Sequence, residues 1–157
     1  MKLVSRILTL LILASATVFY SSCGGGDDNT TSETDQQLAK LNGTWVVVLS
    51  DDVTQNSKEP PFEFKNLTLK INAPAGSTTF NWTATNRPPQ SPWNSQGTFV
   101  FGDPVASQLK RDDTVTIAYN VTDTKLIMTF DFDNSAGYPG RVKSIEGNWS
   151  FEFTKQQ

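Results

Sequence analysis

From Leu41 onward, apolar and polar side chains alternate with a period of two, and no stretch sustains a helical period. Trp45, Val47 and Leu49 share one parity, and Phe80 and Trp82 sit between Thr79, Asn81 and Thr83. Ile117 and Tyr119, with Val115, alternate with Thr114, Thr116 and Asn120. Leu126, Met128, Phe130 and Phe132 alternate with Lys125, Thr129 and Asp131, and Trp149, Phe151 and Phe153 with Asn148, Ser150, Glu152 and Thr154. Successive side chains of a strand point to opposite faces, so each run predicts one buried and one wet face. Aromatic and β-branched residues suit such strands. Gly97 to Phe101 adds a strand with Phe99 and Phe101 inward. Phe62 to Asn72 adds another, whose parity changes between Phe64 and Leu67 and so predicts a bulge near Lys65-Asn66. Val105 to Lys110 reads as one helical turn. Pro- and Gly-rich breaks at 73–76, 87–89, 102–104 and 137–140 punctuate the runs. Seven clear strands, with room for an eighth, predict an all-β antiparallel barrel or sandwich.

The first 22 residues stand outside this pattern. Lys2 and Arg6 precede an apolar run from Ile7 to Tyr20, then Ser21, Ser22 and Cys23. A charged start, a short apolar core and small residues are the layout of a secretory signal. The run has 14 residues, short of the ~20 that span a bilayer. The Cys at the expected cleavage point resembles a bacterial lipoprotein signal, which implies removal of residues 1–22 and lipidation of Cys23. Gly24-Gly25-Gly26-Asp27-Asp28 resembles the acidic tethers that send Bacteroidota lipoproteins to the cell surface. Residues 23–38 are expected to be a flexible polar tether, with a turn of helix over Asp35 to Lys40, and 39–157 the folded domain.

Composition excludes several chemistries. The chain has no His, which removes Ser-His-Asp and Cys-His catalysis and His-ligated metals. Its one Cys cannot form an internal disulfide. A net charge of -3 gives no footprint for nucleic acid.

Gly43-Thr44-Trp45 opens the first strand, Gly97-Thr98-Phe99 lies in the middle, and Gly147-Asn148-Trp149-Ser150-Phe151 begins the last. In this order, after a lipoprotein signal, these motifs resemble the lipocalin-like lipoproteins of Bacteroidota over about residues 40–155. The resemblance implies an up-and-down lipocalin-like β-barrel of about eight strands, with a β-sandwich as the alternative. It also implies an apolar cavity for a small ligand, and a Trp45 packed against an arginine, for which Arg141 is the nearest candidate.

The inward rings Trp45, Trp82, Phe99, Phe101, Tyr119, Phe130 and Trp149 are the candidate ligand-binding residues, either lining a cavity or filling it. Trp93, in the Pro-rich segment 87–94, is the candidate partner-binding residue if exposed and a lid if folded back. Asp131, Asp133, Asn134 and Ser135 form an oxygen-rich turn that lacks the ligand pattern of a calcium loop. Asp51-Asp52 and Asp112-Asp113 read as exposed strand ends. No facing carboxylate pair stands out among Glu63, Glu146 and Glu152. The expected protein is a lipid-anchored outer-membrane lipoprotein, facing the cell surface or else the periplasm. It is read as non-catalytic, without metal or cofactor, and as binding a small apolar ligand; the alternative is a solid-cored module for a protein or glycan partner.

Overall fold

The computed structural model describes residues 31–133 and 143–157. Cys23, Asn134, Ser135 and Arg141 lie outside the described residues. A helix, α1 (Glu33–Leu41), precedes β1 (Gly43–Val46), β2 (Val53–Gln55), β3 (Thr68–Asn72), β4 (Thr79–Thr85), β5 (Gln96–Phe101), β6 (Gln108–Arg111), β7 (Thr116–Val121), β8 (Lys125–Phe132) and β9 (Gly147–Lys155). Every pairing is antiparallel, and β1 and β3 to β9 follow one another around the sheet. Pairing of Trp45 with Lys155 and Val46 with Thr154 joins β1 to β9 and closes an eight-stranded barrel of lipocalin-like form. Closure of β1 on β9 pairs both sides of the eight barrel strands and leaves the short β2, paired with β9 alone, as the remaining edge.

The inside is apolar because the period-two pattern puts one face of each strand there. β4 buries Phe80, Trp82 and Ala84 and exposes the residues between. β8 buries Leu126, Met128, Phe130 and Phe132, and β9 buries Trp149, Phe151 and Phe153. Each such side chain contributes about 1.5–3 kcal/mol on burial.

Four expectations change. First, the alternation of Trp45, Val47 and Leu49 ends at Val47. A strand running straight on from Val46 would put Leu49 opposite Phe151, yet Val53 is there. Four extra residues therefore loop out, and Leu49 is 54% exposed. The Asp52 carboxylate holds this loop by accepting from the backbone N–H of Val48 and Leu49. Second, the parity change before β3 is a turn and not a bulged strand. Asn66 adopts φ +70°, the Leu67 N–H donates to the Phe64 carbonyl, and Phe64 folds into the core against Trp149 and Phe151. Third, the segment read as a helical turn at Val105–Lys110 is a turn over 104–107 followed by β6, with Leu109 and Arg111 inward. Fourth, α1 begins inside the stretch expected to be tether.

Helix α1 closes one end of the barrel. Ser32 caps it, with its hydroxyl accepting from the Asp35 N–H, and acidic residues in the first turn and Lys40 in the last suit the helix dipole. Leu38 and Leu41 are fully buried. The Trp45 indole donates to the Leu41 carbonyl, 2.8 Å, and Asn42 Oδ1 accepts from the Ala73 N–H, 3.0 Å. Chain register places the loops at 47–67, 86–95 and 112–115 at the opposite end.

Candidate functional site

The open end holds the residues that sequence logic did not place. Between β4 and β5 the chain turns at Asn86, which has φ +54°, and returns through three prolines to Trp93. Ser91 is buried, and its hydroxyl accepts from the Trp93 N–H, 3.1 Å, which stiffens the approach. Trp93 enters the barrel and is fully buried. Its ring meets Trp82 at 5.4 Å, Phe130 at 5.4 Å, Phe151 at 5.7 Å and Phe153 at 6.4 Å between centroids, all edge to face. These distances are those of favourable aromatic pairs. The loop Trp is thus a plug on the barrel axis. An exposed Trp93 serving as a partner-binding residue does not stand: it offers no surface.

Beside the plug lies Arg111, 3% exposed. Its Nε and Nη2 donate to the two oxygens of Asp113, each at 2.7 Å. The guanidinium lies 5.2 Å from the Trp93 ring centroid, 5.4 Å from Phe130, 5.9 Å from Phe132 and 6.0 Å from Trp82. A charge this deep is tolerable because its counter-ion is buried with it and the ring faces attract it. The barrel therefore contains an inward charge, and Asp113 is not an exposed strand end. Its neighbour Thr114 is exposed, with φ +70°.

Of the candidate ligand-binding rings, Trp45, Trp82, Phe99, Tyr119, Phe130 and Trp149 are buried and Phe101 is partly buried. They pack against one another and the plug: Trp82 stacks on Phe99 at 5.5 Å, and Trp149 on Phe151 at 5.6 Å. The Tyr119 hydroxyl donates to the Val105 carbonyl, with Gln37 Oε1 3.3 Å away. Burial first, and the Glu33 charge second, push this phenol above its usual range, so it stays a protonated donor.

The Trp45 ring does face a cation. Among the described residues it is Lys155 of the last strand, with Nζ 5.0 Å from the ring centroid. Asp131 accepts from Asn148 Nδ2, Glu152 pairs with Lys125, and no cluster of metal-ligating side chains occurs among the described residues.

The surface carries several open clefts. One, about 630 Å3, runs over Thr116, Ala118, Thr129 and Asp131. Another, about 380 Å3, lies beside Gly97 between β4 and β5. Three buried donors find no acceptor among the described residues: Trp82 Nε1, Trp93 Nε1 and Arg111 Nη1. No protein-family model, curated protein or solved structure matches the chain.

Proposed function

We propose that this protein is a lipid-anchored lipoprotein whose barrel is a solid, non-catalytic scaffold that works by presenting its outer wall and clefts to a protein or glycan partner. The observation that carries this reading is the Trp93 plug. A carrier for a small apolar molecule needs apolar space, and the barrel axis holds an indole in contact with Trp82, Phe130, Phe151 and Phe153. The signal layout around Cys23 supports anchoring, and two or three acyl chains would hold the protein firmly to a membrane.

Native mass spectrometry of the full chain from its own host tests the reading. The mass of residues 23–157 increased only by the acyl group, together with unchanged Trp fluorescence on titration with fatty acids, is the expected result. A further non-covalent mass that leaves on denaturation would overturn the solid scaffold and restore the carrier. Substitution Cys23→Ser is expected to release the protein from the detergent phase into the aqueous phase.

A further inference from the structure

We infer that the slot where β7 and β8 part, at the open end of the barrel, binds an extended cationic polypeptide segment, which adds its backbone to the two exposed strand edges. This rests on the proposal that the outer wall, and not the interior, is the working surface, and it names the place and the partner class.

The hydrogen-bond order of the two strands locates the slot. The Thr122 N–H donates to the Lys125 carbonyl, and in an antiparallel ladder bonded pairs recur at every second residue. Asn120 with Ile127 and Ala118 with Thr129 follow, and there the register ends. The next bonded pair would be Thr116 with Asp131. It is not formed, although β7 begins at Thr116 and β8 runs on to Phe132. Fraying does not explain this, because each strand stays held on its far side. β7 remains on β6 as far as the bond from the Arg111 N–H to the Val115 carbonyl. β8 remains on β9 as far as Phe132 opposite Gly147.

The same alternation turns backbone groups into the slot. The odd residues of β7 bond to β6, as the Tyr119 N–H does to the Ser107 carbonyl, so Thr116 faces β8. Asp131 faces β7, two residues on from Thr129. Both are exposed. The cleft of about 630 Å3 lies here, within the ~300–1,000 Å3 of ligand sites. Consecutive residues 113–116 line one bank and 129–133 the other, which makes the strand backbones its walls. Unpaired N–H and C=O groups on a strand edge are what an added strand bonds to. A glycan offers no such row of alternating donors and acceptors at strand spacing. Charge sets the sign of the partner. Asp131 and Asp133 line the cleft, and no Lys or Arg does so among the described residues. The third carboxylate, Asp113, is neutralised by Arg111.

The test follows the backbone amides of the isotope-labelled full chain in mild detergent. Without peptide, the amides of Thr116 and Asp131 should exchange fast and those of Ala118 and Thr129 slowly; slow exchange at all four would overturn the parting. The probe is a mixture of end-blocked hexapeptides in which Lys alternates with Val, Thr, Leu or Phe, at millimolar concentration. The expected result is a saturable shift and slowed exchange at Thr116 and Asp131. Glu in place of Lys should weaken binding at least about tenfold, and N-methylation of the peptide backbone should abolish it. Asp131→Asn, at an exposed position, should weaken the Lys peptides at least about threefold, read at Thr116. No shift overturns the inference, as do equal binding by the Glu peptides, undiminished binding by the N-methylated ones, or indifference to Asp131→Asn. A bare native mass with no peptide shift would overturn this inference alone and leave the solid scaffold standing. A non-covalent ligand in the native mass would overturn the scaffold, whatever the peptides do.

Discussion

Lys155 reaches across Gly43 to set its ammonium 5.0 Å from the centre of the Trp45 ring. Its Nζ also donates to the Lys40 carbonyl at 3.1 Å, so one side chain ties the last strand to the first strand and to α1. The Gly-x-Trp opening has its physical reason here. Gly43 holds φ +140°, a conformation L side chains rarely adopt, and a Cβ would come within 2.9 Å of Lys155 Cε.

Substitution Gly43→Ala is therefore expected to destabilise the protein by about 1–3 kcal/mol, chiefly through backbone strain, because the Lys155 stem is flexible enough to yield. Urea unfolding of the full chain measures this as a lower midpoint with an unchanged slope. A midpoint equal to that of the parent protein would refute the strain.

Trp93→Ala empties the barrel axis. The expected loss is about 3–5 kcal/mol, as for large aromatic-to-Ala changes in packed cores. The new space is walled by Trp82, Phe130, Phe151 and Phe153, so added indole should raise the melting temperature of the variant and not that of the parent. A variant as stable as the parent would place Trp93 outside the core.

The Arg111–Asp113 pair, with side chains 0% and 3% exposed, should behave asymmetrically. Asp113→Ala strands a buried guanidinium and is expected to cost about 3–5 kcal/mol. Arg111→Met combined with Asp113→Ala removes both charges and should recover most of that loss. A double-mutant cycle reads the coupling directly. Additive losses would mean the two groups do not act as a pair.

Asp35 gives the α1 cap a pH dependence. The Gly76 N–H, donating at 2.7 Å, and then the Ser32 hydroxyl hold its carboxyl below the ordinary value of 3.8. A lowered value in the folded state means that the contact stabilises while the carboxylate is ionised, above the ordinary value, and is lost as pH falls through the lowered one. Measured against the intrinsic rate at each pH, amide exchange at Gly76 should be slow at neutral pH and become relatively faster as pH falls through the lowered value. Asp35→Asn should accelerate it at neutral pH and flatten the pH response; an unchanged response would assign the protection to another contact.

The strands β4, β7, β8 and β9 were legible because alternation is local: Phe80 and Trp82, or Phe151 and Phe153, declare their face within a few residues. β6 was not legible. Of its two inward residues, Leu109 stands alone as an apolar signal and Arg111 reads as an outward polar residue until its buried partner and aromatic bed are known. The interruption between β1 and β2 escaped for a related reason, since nothing in Val48 or Leu49 states that four residues leave the sheet. Phe64 looked like a strand residue because its parity was counted through a turn at Asn66.

The candidate site divides in the same way. Local chemistry marked Trp93 as unusual in its Pro-rich loop but could not decide whether the ring faced water or the core. It gave no sign that β7 and β8 would part beyond Ala118 and Thr129. By itself the sequence determined the all-β class, the inward rings and the segment set apart at the N-terminus, because period, propensity and charge order are properties of neighbours in the chain. Closure through β1 and β9, the Trp93 plug, the buried Arg111–Asp113 pair and the parting of β7 from β8 were decided only in the tertiary structure. Each depends on residues far apart in sequence competing for one interior volume, and only the whole chain solves that packing.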